Sequence, residues 1–404
     1  MRILHVMPAI APRYGGPSQA AVELCRALQF KGVTAEICTT DADGPGRLPV
    51  ALGTPVVYRG ATCHFFHANF SESFKFSRAM SRWLGENVSR YDVLHIHGVF
   101  VHSTYCAAHF AHRRGVPYIV RPLGMLEPWS MSQKPVRKRV AWELFFRRAV
   151  RGATFVHYTT EQERKWTEDS LQLRHGVVVP NGVDDRLLEF RASGRFRKVT
   201  GIPADAPLLL ALSRLHPKKG IEVLLRVFTK LKALDQLQNW HLVIAGDGDP
   251  AYVEELKRIA SGAAAHDFVH WPGWLDETAK LDALAEANLF VLSSYQENFG
   301  ISAVEAMACG TPVLLSRQVG LSPEVLAKRA GWIVDLDEDG LSRGLTEACR
   351  DVSELSTRGA AALALVRERF TWTRIAGEWV GLYESLISIK KEPALSSEHV
   401  VNYG

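Results

Sequence analysis

Two glutamates, Glu297 and Glu305, stand eight positions apart in the run SSYQENFGISAVEAMACGTPVLLS, residues 293–316, on either side of a Phe299–Gly300 step. On one continuous helix that spacing turns the second carboxylate by roughly 80° from the first, so periodicity alone gives neighbours without a shared ridge. The flanking pattern separates them instead. LFVLSS reads as a strand, YQENF as the turn at its carboxyl end, and GISAVEAMACG as a helix starting near Gly300. Glu297 then lies in the loop and Glu305 about one turn into the helix, both edging one pocket. Gly300 allows close approach to the backbone, and the free N–H groups of a first helical turn, with the helix dipole, favour an anion such as phosphate. Carboxylates beside a phosphate repel it unless they bind something else, and sugar or ribose hydroxyls, which donate hydrogen bonds, are the natural partners. For a pair of this kind met in isolation, a solvated loop and a dipole-favoured helix start would be the commoner arrangement.

A cationic pair stands in LSRLHPKKGIEVLL, residues 212–225, with Arg214 at the end of a strand and Lys219 at the start of the next helix. Arginine binds a diphosphate through a planar fork and lysine adds a compact charge, which together would neutralise a departing nucleoside diphosphate without a metal. Lys218 reads as the solvated neighbour. After the first strand, APRYGGPSQAAVELCRAL places Gly15 and Gly16 in a tight loop before a helix that Ser18 is expected to cap, again a place for phosphate or an incoming acceptor.

Other polar clusters read differently. Gly246, Gly248 and Ala251 of IAGDGDPA have dinucleotide-fingerprint spacing, but Asp247, Asp249 and Pro250 set negative charge and a missing N–H where a pyrophosphate would dock. The acidic runs at 41–43 and 335–339 read as solvated turns, so no metal site is expected. His95 and His97 alternate along DVLHIHGVFVHS, and only one of them is expected to face a given side. His95 is read as a core residue, while His97, His102 and the Arg121 of YIVRPLGMLEPW are read as lining the acceptor side of a cleft.

The elements that must position these residues alternate along the chain. RILHVM, AEICTT, DVLHIH, PYIVRP and TFVHYTT, then LLLALSRL, HLVIAG, FVHWPG, LFVLSS, PVLLS and GWIVD, are strand-like, with helix-period stretches between them. This is the pattern of parallel sheets with crossover helices. A polar, basic stretch, RASGRFRKVTGIPADAP, marks a junction between 182 and 205, after a hinge at VVVPNGVD. The expected architecture is α/β: two doubly wound Rossmann-like domains facing a central cleft. Residues 1–190 form the acceptor-side domain and 191–370 the nucleotide-sugar domain; a last helix at about 371–390 packs back on the first, and the tail from Glu392 frays. The 404 residues, 47% hydrophobic and 23% charged, suit two globular domains, and no apolar run reaches the length of a membrane span. The N-terminal apolar run breaks at Pro8, so it reads as a buried strand rather than an export signal, and six cysteines without metal spacing read as buried thiols in a reducing compartment. A cytoplasmic protein is expected. Lys134 to Arg151 carries seven cations against one glutamate, interleaved with Trp142, Phe145 and Phe146. It reads as an amphipathic helix with a solvated basic face or, functionally, as a peripheral contact with an anionic membrane at its inner face. The net charge of +5 is too mild to argue for nucleic acid.

The glutamate pair with Phe-Gly after the first acid, the trailing GTPVL, the Arg-Leu and Lys-Gly of 214–220 and the glycine loop after the first strand resemble, in order, the signature of family 4 glycosyltransferases, retaining enzymes of the GT-B fold. That resemblance implies a hexosyltransferase using a nucleoside-diphosphate sugar, with UDP-glucose the expected donor, and a glycan acceptor, free or lipid-linked, in polysaccharide biosynthesis. It implies that Glu297 and the backbone of Asn298, Phe299, Gly300 and Ile301 hold the hexose, that Arg214 and Lys219 neutralise the diphosphate, and that Glu305 holds the ribose. The base would lie near Gly273, Trp274 and Leu275, and Gly15 and Gly16 would close over the diphosphate. No cofactor or metal is implied, the nucleotide sugar being a substrate. Several family members carry a histidine where this chain reads Arg121 to Gly124, so no catalytic histidine is carried over. A nucleotide-sugar-binding subunit without chemistry, or a sugar-nucleotide epimerase of the same plan, fits the same residues.

Overall fold

Strand-period and helix-period segments become two separate sheets in the computed structural model, which describes residues 1–69, 72–261 and 265–391. The tail expected to fray from Glu392 lies outside the described residues. The chain divides into two units. The first holds residues 1–159, 163–179 and the C-terminal segment from Thr373; the second holds 160–162 and 180–372. The division falls at Pro180, just ahead of the interval 182–205 in which the sequence places it. The reason is that Val183 is held inside the second unit, its N–H donating to Phe370 O at 2.8 Å and its O accepting from Trp372 N at 3.0 Å.

In the first unit, strands β1 (Arg2–Val6), β2 (Thr34–Thr40), β3 (Pro55–Tyr58), β4 (Ala61–Phe66), β5 (Val93–His97), β6 (Tyr118–Arg121), β7 (Phe155–Tyr158) and β8 (Gly176–Val178) form one sheet in the order β8-β7-β6-β5-β1-β2-β4-β3. All neighbours are parallel except the edge pair β3 and β4. That hairpin corrects the expectation of a purely parallel sheet. Its turn is Arg59-Gly60, with φ of 51° and 84°. Positive φ at both central residues is the two-residue hairpin geometry, but it is usually signalled by Asn-Gly or Asp-Gly rather than Arg-Gly.

Side chains alternate across this sheet. Leu4, Val6, Leu94, Ile96, Val156 and Tyr158 enter one core with Trp142 and Phe146. The residues between them include His5, His95, His97 and His157, all buried. His95 and His97 therefore share a face, contrary to the expectation that only one could, because residues two apart on a strand point the same way. Their rings stack with centroids 4.5 Å apart. The helix Trp372–Lys391 covers them, with Trp379 4.6 Å from His95 and from His157 between ring centroids.

Hydrogen bonding gives this face a direction. His157 Nε2 lies 2.8 Å from the carbonyl of Val179, which only accepts, so that nitrogen carries the proton and Nδ1 accepts. His95 Nε2, 3.1 Å away, must donate to it. His95 Nδ1 is then an acceptor, and Tyr383 Oη–H donates to it across 2.8 Å. Three links run one way from the C-terminal helix to the end of the edge strand β8, and every imidazole in them is neutral.

The second unit carries β9 (Leu208–Leu212), β10 (His241–Ala245), β11 (Val269–Gly273), β12 (Leu289–Leu292), β13 (Val313–Ser316) and β14 (Gly331–Val334), all parallel, in the order β11-β10-β9-β12-β13-β14. Leu208 and Leu210 pack into one core with Val304 and Met307, and Leu209 and Ala211 into another with Leu224 and Phe228. Both faces are buried, which is why these strands read as continuous apolar runs. Strand order reverses between β9 and β12, and ligands of such sheets bind beyond the carboxyl ends at that point.

Tyr383→Phe removes the O–H that donates to His95 Nδ1 and is expected to lower the stability of the first unit by about 1–3 kcal/mol in urea unfolding; a loss under about 0.5 kcal/mol would contradict the donor role. Acid should act on the same face. A free imidazole protonates near 6.5, whereas burial, with Arg121 second, holds His5 at about 3, and burial also depresses His95, His97 and His157. Between those values the unfolded chain binds protons that the native chain does not, so this stability is complete above about 6.5 and is lost as pH falls toward about 3. Melting temperatures measured across that range should fall steadily with pH.

Candidate active site

The site is built where β9 and β12 end side by side. From β9 the chain runs through a short 3₁₀ turn, Pro217–Lys219, to the helix Ile221–Ala233. Gly220, between them, has φ 60°, and a Cβ there would lie 2.1 Å from the carbonyl oxygen of Ser293. Only glycine permits that approach. Ser293 Oγ donates to the carbonyl oxygens of Lys219 and Gly220, each at 3.2 Å, and Tyr295 N–H donates to Lys218 O at 2.9 Å. Lys219 is thus set against the loop that carries Glu297, and its ammonium bonds the Glu297 carboxylate directly.

Glu297 is fixed from the other side as well. Its N–H donates to Gln318 O at 3.1 Å and its O accepts from Gly320 N at 2.8 Å. Burial pushes its carboxyl upward, but the ammonium of Lys219, with Lys218 and Arg214 beyond, outweighs burial and holds it below the ordinary carboxylate range. Glu297 is therefore an ionised acceptor rather than a proton donor at neutral pH. Gly300, with φ 87°, starts the helix Ile301–Ala308 without a side-chain cap. Buried side-chain oxygens of Ser294, Gln296, Asn298 and Gln318 find no hydrogen-bond partner among the described residues. Such orphaned oxygens on the loops after β12 and β13 fit a site that is completed by ligand.

The sequence-predicted residues are brought together in part. Arg214 is exposed just beyond β9 and acts on Glu297 at a distance. Glu305 is buried in the helix, and its carboxylate pairs with Lys280 of the helix Glu277–Glu286 at 2.8 Å rather than with the Arg214 and Lys219 pair. Phe299 sends its ring into the core against Phe370, so only its backbone faces the loop, and Ile301 packs against the same core. Gly273, with φ 73°, ends β11, and its O accepts from Gly246 N; Trp274 beside it is 61% exposed and Leu275 packs inward.

The glycines of GDGD have a structural use. A Cβ at Gly246 would lie 1.8 Å from Ser213 O, and one at Gly248 2.1 Å from Leu215 O, so both let the loop after β10 lie against the one carrying Arg214. Asp249 caps the following helix through Ala251 N and Tyr252 N. Asp337 likewise caps its helix at Gly340 N, and Asp335 pairs with Arg317.

In the first unit Gly15, with φ 76°, is itself the N-cap of the helix Gly16–Phe30. Ser18 is not the cap: it lies inside the first turn, and its Oγ donates to Ala9 O at 3.3 Å. His97, His102 and Arg121, expected on the acceptor side, are instead buried. His97 Nε2 is 3.0 Å from His5 Nδ1, and His102 accepts from Ser77 N–H and lies 3.1 Å from Cys106 Sγ. Burial holds the Arg121 guanidinium down at about 10, with Glu163 and Tyr383 opposing. His5, His95 and His97 bring three imidazole nitrogens within 4.8 Å of one another, a spacing a metal ion can use. Both nitrogens of His95 are committed to Tyr383 and His157, and Arg121 places positive charge beside the group. The donors fit a hydrogen-bonded cluster better than a cation.

Four residues were missed by sequence reading. Ser293 and Gly220 lock the two loops, Lys280 pairs with Glu305 from 25 positions away, and His216 Nδ1 accepts from Lys218 N–H. Burial, then Arg214, Lys218 and Lys219, lower the His216 pKa. Only the Lys-Lys-Gly step hinted at any of this.

Comparison with known proteins follows the same division. The family description "Glycosyl transferase 4-like domain" matches residues 15–182 and "Glycosyl transferases group 1" matches residues 193–361. A D-inositol 3-phosphate glycosyltransferase of Arthrobacter sp. (strain FB24) is 30% identical over 309 residues, covering 74% of this chain and 71% of that protein. D-inositol 3-phosphate glycosyltransferase 2 of Catenulispora acidiphila is 28% identical over 413 residues, covering 95% and 94%. Among solved structures, a sucrose-phosphate synthase from Thermosynechococcus elongatus superposes with TM-score 0.76 at 21% identity, covering 96% of this chain and 99% of that one. Anabaena Alr3699/HepE in complex with UDP-glucose superposes with TM-score 0.74 at 20% identity, covering 95% and 100%. The chain belongs to the family-4-like glycosyltransferases. It is a glycosyltransferase enzyme of the GT-B fold.

Lys219→Ala should reverse the sign of the Glu297 shift. With burial unopposed at close range, its carboxyl pKa, followed by carbon NMR of labelled glutamate, is expected to move from below 4.5 to above it. A value still below 4.5 would show that the lysine is not what keeps Glu297 ionised.

Proposed function

We propose that this enzyme transfers a hexosyl unit, with glucose from UDP-glucose as the leading donor, to a glycan acceptor with retention of the anomeric configuration. The observation that carries the reading is the ionised Glu297 bonded to Lys219 at the switch point between β9 and β12, beside Arg214 and the uncapped start of the helix Ile301–Ala308. Lysine has three donors, so Lys219 can keep Glu297 and still meet a phosphate oxygen. In this proposal Arg214 and Lys219 neutralise the diphosphate as it departs, while Glu297 and the backbone of 298–301 accept and donate to the hexose hydroxyls. Glu305 uses one carboxylate oxygen on Lys280 and has the other available for ribose. The exposed Trp274 offers a stacking face for the base. No protein nucleophile is required: the leaving phosphate helps deprotonate the acceptor on the same face, and no metal or cofactor enters the scheme.

The Arthrobacter and Catenulispora relatives are named as D-inositol 3-phosphate glycosyltransferases, and the HepE structure is a complex with UDP-glucose. These names support the reaction class and the donor type.

Incubation with a panel of UDP-, GDP- and ADP-sugars, following diphosphate release, tests the reading. Lys219→Ala should weaken UDP binding by roughly 10- to 100-fold in calorimetry. Glu297→Ala should lower transfer by a factor on the order of 100 or more while UDP still binds. Unchanged turnover in the Glu297 variant would refute the assignment. Binding of nucleotide sugar without transfer or hydrolysis would indicate a non-catalytic subunit, and release of an isomeric sugar nucleotide an epimerase.

A further inference from the structure

The basic segment of the first unit has two apolar faces, and the core uses only one. It runs as a helix Pro135–Ala141, a π turn Trp142–Phe146 and a helix Arg147–Arg151. Trp142, Phe146, Ala149 and Val150 are buried in the core against the sheet. Val140 and Leu144 flank Trp142 at two positions either way, which on a helix turns them about 200° from it. They point outward: Val136 is 76% exposed, Val140 52%, Leu144 68% and Phe145 51%. Tyr105, also exposed, meets Phe145 edge-on at 6.1 Å, and Trp129 is partly exposed on the short helix before the segment. Four large apolar side chains within ten residues are far more than the scattered single exposures of an ordinary surface.

Charge identifies what would cover them. At about 100° per residue, Val136, Val140 and Leu144 form a stripe with Arg137 along one side and Arg139 along the other. Both arginines are exposed, as are Lys134, Arg148 and Arg151. The one acid of the segment, Glu143, is paired with Arg147 at 2.6 Å. Apolar side chains bordered by cations match an anionic bilayer surface, where the alkyl groups enter the acyl boundary and the cations meet lipid phosphates. A second copy of the same face would bring like charges together, which disfavours self-association. No helix among the described residues is long and apolar enough to cross a membrane, so this contact lies in the plane of the surface. We infer that the outer face of residues 135–151 is a docking surface for anionic phospholipid membranes. The inference goes beyond glycosyl transfer and does not need a bound donor.

Co-sedimentation of the full chain with vesicles of phosphatidylcholine alone, and of phosphatidylcholine mixed with phosphatidylglycerol, tests it in the absence of nucleotide. Binding is expected only to the mixed vesicles and should weaken as salt rises. Val136→Ser, Val140→Ser and Leu144→Ser together should lower that affinity by roughly 10-fold or more. Arg137→Glu, Arg139→Glu and Arg148→Glu together should lower it by on the order of 100-fold or more. Because all six side chains point outward, both triple variants should melt at the parent temperature, which separates lost docking from lost folding. Equal binding to neutral vesicles, unchanged binding of the charge-reversed protein, capture by heparin without any vesicle binding, or a dimer that the serine variant dissolves would each overturn the proposal.

Discussion

The close approach of two backbones at Gly220 and Ser293 is the constraint on which the candidate site depends. With no side chain at Gly220, the turn after β9 lies on the carboxyl end of β12, and Ser293 Oγ holds it there through two carbonyls. That contact sets Lys219 beside Glu297, and the resulting ion pair keeps a largely buried carboxylate ionised against its desolvation. A similar approach, through Gly246 and Gly248, fastens the loop after β10 to the loop bearing Arg214. The candidate site is therefore built from loops whose backbones brace one another, and the sheet supplies only the place where they meet.

A different polar device organises the first unit. Four histidines occupy one face of its sheet, and the C-terminal helix covers them with Trp379 and Tyr383. The Val179 carbonyl at one end fixes the proton on His157, and the choice passes through His95 to the hydroxyl of Tyr383. A buried polar network of this kind specifies one register for the helix that a purely apolar interface would leave to packing alone. It also gives His95 and His157 a structural use that accounts for their burial.

Much of the plan was readable in the residues themselves. Every strand expected from an apolar run is present, because parallel strands buried on both faces leave continuous hydrophobic segments. The β3 and β4 hairpin escaped notice: Arg59-Gly60 is a weak turn signal, and Val57 on the edge strand faces solvent. Glu297, Lys219 and Arg214 were legible because each follows a strand that ends at the switch point. Ser18 was misjudged as a cap because the helix already begins at Gly16, with Gly15 as its N-cap. His97 was misjudged because a two-residue spacing on a strand keeps a side chain on the same face.

The sequence by itself determined the alternation of strands and helices, the positions of the paired acids and cations, and the family pattern they form, because these depend on local periodicity and on spacing within single loops. The tertiary structure decided the partners. Lys219 joins Glu297 across 78 positions, Lys280 joins Glu305 across 25, and Tyr383 reaches His95 across 288. It also decided which apolar residues of 135–151 enter the core and which remain outside, since a helix with two apolar faces can bury only the one that meets the sheet.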